Sequence, residues 1–225
     1  EIDCGEGAEI EHVKVMRDGK ADWHLGSTHV RQAAGSRYRS REFALGGAMT
    51  RRELHLDLVG EGAACELNAL YLGGAGQRHD LRTRVRHSVA DCETQELYKG
   101  ILDADSRGIF DGLVYVAEDA QRTDAQQTNR NLLISTDATA YSMPRLEIYA
   151  DDVKCSHGST TGQIAEEQLF YLRTRGFDPE AARALLTYAF AREIVESLSL
   201  EALRESITAD LQRRLPRSEL IEGTQ

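Results

Sequence analysis

Cys155 and His157 stand two residues apart in the stretch Lys154-Cys155-Ser156-His157-Gly158-Ser159-Thr160-Thr161-Gly162. Thiolate and imidazole are both iron ligands. A Cys-x-His pair supplies at most two donors, so any cluster held there needs other ligands from a partner. An interface site follows, and a self-contained one is disfavoured. Each residue also has a bland reading. Free cysteine is among the most buried residue types, and a lone histidine is more often a structural hydrogen-bonding group than a ligand. His24 and His29 are five apart, which suits neither one helix face nor one strand face. Arg82, Arg84 and Arg86 read first as a solvated strand face and second as a docking or anion-binding surface. The motifs GxxxxGK[ST], GxGxxG after a strand, HExxH and GxSxG are absent. Acidic residues are dispersed, which disfavours a carbohydrate-active solenoid enzyme with clustered carboxylates.

Cys155 and His157 lie where the hydrophobic period changes. Before them, apolar residues alternate with polar ones: Phe43 and Leu45; Leu54, Leu56 and Leu58; Leu81, Thr83 and Val85; Val114 and Val116; Leu132 and Ile134; Leu146 and Ile148. A period of two predicts strands with one buried and one solvated face. Gly46-Gly47, Gly60-Glu61-Gly62, Gly73-Gly74-Ala75-Gly76 and Asp105-Ser106-Arg107-Gly108 separate the runs. Many short, evenly spaced strands suit a sandwich, a barrel or a solenoid. Small corner residues, and a polar row from Asp124 to Asn131 suited to stacking between turns, favour the solenoid. No exact repeat supports it. A β-helix here would have ~20 to 25 residues per turn and roughly six turns, about 30 Å of stack.

From about Glu166 the spacing predicts helices. Leu169, Phe170 and Leu172 form one apolar side, and Gly176 is placed as a C′ stop. Asp178-Pro179 is an N-cap followed by proline at N1. The second helix is expected to bury Ala182, Leu185, Leu186, Ala189, Phe190, Ile194 and Leu198. A third, from about Ser199, presents Leu203, Ile207, Leu211 and Leu215. Residues 217 to 225 read as a frayed polar tail.

The chain has 225 residues and a net charge of -10, which makes nucleic acid an unsuitable partner. Cys4, Cys65, Cys92 and Cys155 form no CxxC pair and read as reduced thiols of a cytoplasmic protein, the first three structural. No run long enough to span a membrane and no signal peptide are expected. The opening Glu1-Ile2-Asp3-Cys4, in mid-pattern, reads as the start of a fragment or processed product.

Three stretches carry a resemblance: residues 99 to 112 (KGILDADSRGIFDG), 124 to 135 (DAQQTNRNLLIS) and above all 146 to 177 (LEIYADDVKCSHGSTTGQIAEEQLFYLRTRGF). They resemble the SufB/SufD family of iron–sulfur cluster assembly scaffolds. The resemblance implies a mainly β fold, a right-handed parallel β-helix over residues 1 to 160, with a small C-terminal α-helical domain over 161 to 225. It implies a preceding helical region that this chain lacks. It implies a scaffold, with no enzyme activity of its own, that pairs with SufB through the β-helix edge. It also implies docking of the ATPase SufC on the C-terminal helices, from about Ile164 to Leu215. Sulfur is delivered to SufB, and clusters are built transiently in the complex, for which reduced flavin is also implied. No cofactor is expected to stay bound to this chain alone. The family's functional histidine falls on His157, with Cys155 beside it, as candidate iron ligands. SufB-like members carry Glu-His-Glu where this chain reads Ser156-His157-Gly158, and a cysteine at the position of Ile148, so the chain resembles the SufD-like branch. The same edge would serve a homodimer when SufB is absent. Ala165 stands where many relatives place an aspartate cap, at a cost of about 1 kcal/mol. The alternative function is a structural or regulatory binding module in which Cys155 and His157 only stabilise the turn.

Overall fold

The computed structural model describes residues 1–214. Twelve strands precede three helices. The strands are β1 (Ile2–Cys4), β2 (Glu9–Met16), β3 (Trp23–Gln32), β4 (Arg37–Ala44), β5 (Met49–Leu58), β6 (Ala64–Gly73), β7 (Arg78–His87), β8 (Glu93–Leu102), β9 (Arg107–Val116), β10 (Thr123–Leu133), β11 (Thr139–Ile148) and β12 (Val153–Gly162). The helices are α1 (Glu166–Thr174), α2 (Pro179–Glu196) and α3 (Glu201–Arg214). Odd strands form one six-stranded sheet, β1-β3-β5-β7-β9-β11, and even strands the other, β2-β4-β6-β8-β10-β12. Every neighbouring pair is parallel. The chain therefore climbs as a two-sheet parallel solenoid of six turns. Partners on successive turns are offset by 26 residues (Trp23 and Met49) to 32 residues (Arg107 and Thr139), so each turn is longer than the expected 20 to 25. The reason is that each full turn carries two strands of up to ten or eleven residues plus two corners.

The repeat that the letters conceal is in the backbone. Gly7, Gly35 and Gly62 adopt positive φ at one corner on successive turns, and Asp91 and Arg122 hold the same conformation at φ 60° on the next two. Glycine takes this region freely, whereas other residues are strained there. Here the two substitutes are linked, with Arg122 Nε donating to Asp91 Oδ1 at 2.6 Å.

The expected alternation places Leu54, Leu56, Leu58, Leu81 and Val85 inside the solenoid. Their neighbours Glu53, His55, Asp57, Arg82, Arg84 and Arg86 point outward, as a period of two requires. The even sheet departs from the expectation of one solvated face. Phe43 and Leu45 point outward yet are fully buried, together with Leu70, Leu72, Ile101 and Leu132. Ala191, Ile194 and Val195 of α2, Leu198, and Ile207 and Leu211 of α3 cover them. The interior is correspondingly more polar than the pattern suggests, because the even strands send Glu42, Thr94, Glu96, Gln127, Asn129 and Asn131 inward.

Ala165 has extended backbone and provides no side-chain cap to α1, as expected. Asp178 caps α2 through Glu180 N (3.0 Å) and Ala181 N (2.9 Å), with Pro179 following. Two helix expectations fail. Phe170 is 67 % exposed, because α1 lies at the edge of the helical layer and buries only Leu169. Ala189 is exposed, since α2 buries the face of Ala184, Thr187, Ala191 and Ile194. The third helix begins at Glu201; Leu215 and the expected tail lie outside the described residues. Gly162 ends the solenoid and Glu166 opens the helices.

Candidate functional site

Among the described residues β12 pairs on one side only, with β10, and β11 only with β9, so these two strands form the rim at one end of the solenoid. Register sets what each rim residue faces. Val153, Cys155, His157, Ser159 and Thr161 lie over Thr123, Ala125, Gln127, Asn129 and Asn131, and all five of the latter are buried and face inward. Successive strands keep this orientation, so Cys155 and His157 continue an interior row onto a turn with no strand above it among the described residues. Val153 and Cys155 pack on the interior cluster, whereas His157 is exposed. On the opposite rim strand, Ser142, Pro144, Leu146 and Ile148 lie over Phe110, Gly112, Val114 and Val116. Pro144 suits this position, since a residue without an N–H is tolerated at a sheet edge.

Cys155 and His157 thus share one face, as strand spacing demands, at an open end. Burial raises the Cys155 thiol above its usual range, against the backbone contact of Ala125 and with a smaller push from Asp124. It is held as a thiol, unlike an activated nucleophile. Among the described residues no group of three or more His, Cys, Asp or Glu could enclose a metal ion. The donor set therefore fits half of a site: one thiol and one imidazole, with the remaining ligands supplied from across the rim.

The layer beneath was not singled out from the sequence. Gln127 lies directly under His157, and Glu96 under Gln127. Gln127 Nε2 donates to Glu96 Oε2 at 2.5 Å. Burial pushes the Glu96 carboxyl up to about 7, against the hydrogen bonds of Thr83 and Gln127 and the charge of Arg84. Only the expectation that the row from Asp124 to Asn131 stacks between turns pointed here.

The other candidates separate cleanly. His24 faces inward and His29 outward, where its ring stacks on His55 with centroids 4.5 Å apart, so His24 and His29 share no site. Arg82 donates to Asp80 and Arg84 to Asp111, while Arg86 lies over the Tyr115 ring. The row is a ladder of ion pairs on the outer face of the odd sheet. Cys4, Cys65 and Cys92 are buried and free, with burial pushing the Cys65 thiol up to about 12. A groove of about 530 Å³ lies away from His157, between Leu72, Ile101 and Ile134 of the solenoid and Leu169 and Arg183 of the helices. On α1, Phe170 and Tyr171 are 67 % and 57 % exposed, an aromatic pair in solvent. No described helix is long and apolar enough to cross a membrane.

The family model described as the SufBD core domain of the SUF system for FeS cluster assembly matches residues 1–190. The iron–sulfur cluster assembly protein SufD of Escherichia coli is 38 % identical over 96 % of this chain and 51 % of its own length. An iron–sulfur cluster assembly SufBD family protein of Synechocystis is 37 % identical over 91 % of this chain and 45 % of its own length. The chloroplastic protein ABCI7 of Arabidopsis thaliana is 34 % identical over 91 % of this chain and 43 % of its own length. The chain spans about half the length of these relatives. With the family match running through the whole solenoid and into α2, the chain belongs to the SufBD core family.

Proposed function

We propose that the chain is a scaffold subunit for iron–sulfur cluster assembly, without catalytic turnover of its own, and that it supplies His157 to a nascent cluster built across its open rim. The observation that carries this reading is the position of Cys155 and His157 in one inward row on an edge strand, at the end of the solenoid where another chain can add. Unpaired edge strands are templates for a partner, and SufB is the partner proposed. A second copy of this chain would use the same rim when SufB is absent. The cluster is cargo here, transient and completed by the partner's ligands, and reduced flavin would act in the complex. Docking of the ATPase SufC is proposed on the helices, supported by the exposed Phe170 and Tyr171.

Within the pair the roles divide. Cys155 packs against the interior and burial keeps its thiol protonated, which favours a stabilising role for it; His157 is exposed and available. The test is H157A in the assembled complex, with iron and acid-labile sulfide measured on the product. Loss of cluster formation with the complex intact is expected. Unchanged iron and sulfide would remove His157 from the site and leave the structural-module reading in its place.

A further inference from the structure

Two unmet hydrogen-bonding capacities meet at the rim. Gln127 is 1 % exposed, and its Oε1 is buried without a partner while its Nε2 is engaged by Glu96. One turn above, in register, stands His157, whose side chain has no hydrogen-bond partner among the described residues. An acceptor buried without a donor is destabilising, so some group is expected to supply one. Across the solenoid from His157, the residue above Gly112 is Pro144, whose side chain has no donor. Gly112 itself makes the room: a Cβ there would lie 2.3 Å from Gln127 Nε2. The Gln127 amide therefore lies against bare backbone on one side and is gripped by Glu96 below, and its oxygen is left without a donor one layer beneath His157.

We propose that Gln127 is the positioning residue for His157: its Oε1 accepts the N–H of one ring nitrogen, and the other nitrogen is left unprotonated and turned towards the open rim. The exposed His157 side chain would turn inward to make this contact. Glu96 acts one step further back, by holding Nε2 and so fixing which end of the amide faces the histidine. A carboxylate cannot donate, so an ionised Glu96 selects Nε2 and leaves Oε1 for the ring. The chain Glu96–Gln127–His157 reproduces the general arrangement in which a ligating imidazole donates its second N–H to an outer partner that sets tautomer and direction. This inference rests on the reading of His157 as a ligand, and it says why a histidine should be poised at that spot on the rim.

The experiment reads the tautomer directly. In the purified protein labelled with ¹⁵N-histidine, long-range proton–nitrogen correlation at a pH where the ring is neutral reports which His157 nitrogen carries the proton; H157N identifies the signals. A single tautomer is expected in the wild-type protein. Mixed tautomers in the wild-type protein would overturn the proposal before any Gln127 variant is made. Q127M should convert the single tautomer to a mixture. If Q127M fails to fold because Glu96 loses its partner, the double variant E96L/Q127M removes both members of the polar pair and takes its place. An unchanged His157 tautomer in either folded variant also overturns the proposal. Iron retention in the assembled complex should fall roughly 10-fold to 100-fold in Q127M, the range for loss of an outer-shell partner. Retention unchanged in Q127M but lost in H157A would refute the role of Gln127 alone, whereas retention unchanged in both would refute the site.

Discussion

Replacing Glu96 by glutamine should stabilise the protein at pH 8 and change little near pH 4.5. Glu96 is 3 % exposed on the inward side of β8, and burial carries its carboxyl from the usual 4.5 to about 7. In the unfolded chain the proton leaves near 4.5; in the folded chain it leaves near 7. Between those values the folded state binds more protons than the unfolded state, so stability falls as pH rises through the window. At about 1.4 kcal/mol per tenfold change in proton affinity, the ionised carboxylate costs about 3 kcal/mol once pH exceeds 7. Glutamine has the same shape, accepts the same bond from Gln127 and does not titrate. For a chain of this length 1 kcal/mol moves the thermal midpoint by about 2–4 °C, so E96Q should raise it by on the order of 6–12 °C at pH 8. Thermal unfolding of wild-type protein and E96Q at pH 4.5 and pH 8 measures the difference directly. A midpoint difference that is the same at both pH values would refute the claim that a buried, raised carboxyl sits behind the rim.

Three further outcomes follow from other parts of the structure. Burial lowers His79 and His87 to about 4, so each binds a proton in the unfolded chain near 6.5 but not in the folded one; stability contributed by each is lost as pH falls from 6.5 towards 4, and H87Q should flatten this acid limb in denaturant titrations between pH 4 and 7. Arg52 donates to Glu42 at 2.9 Å and to Thr28 at 3.0 Å inside the solenoid; R52M should cost about 3–5 kcal/mol in urea unfolding because it strands Glu42, and E42L/R52M should cost less than R52M alone. A165D should add a cap to α1 and slow amide exchange at its first turn by about 1 kcal/mol of local stability; unchanged exchange there would show that the missing cap is not limiting.

The solenoid was legible where alternation met a dry interior. Leu54, Leu56, Leu58, Leu81 and Val85 report their faces correctly because the odd sheet has water on its outer side. The even sheet hides the same signal. Phe43, Leu70 and Ile101 are apolar because helices cover them, and Glu42 and Glu96, on the inward face of the same sheet, are polar because they bond to other side chains within the solenoid. Period-two reasoning assigns such strands to the wrong face. The length of a turn was misjudged for a related reason: the corner repeat is written in φ, with Asp91 and Arg122 standing where glycine would reveal it. At the rim, Cys155 and His157 could be picked out by type and spacing. Gln127 could not, since its place under His157 depends on a register thirty residues apart that no local pattern encodes.

The helices return along the stack instead of continuing it. Glu193 reaches Lys99 on β8, the Ser197 carbonyl accepts from Arg41 on β4 at 3.2 Å, and Asp210 accepts from Arg17, just beyond β2, at 2.6 Å. A solenoid held only by nearest-neighbour contacts can fray or grow one turn at a time. Here the last segments of the described chain brace turns formed much earlier. Contacts across nearly two hundred residues raise the contact order and join turns that would otherwise melt separately. Unfolding should therefore be more cooperative than for a bare stack, and a displacement of α2 or α3 would be felt along the whole length of the even sheet at once.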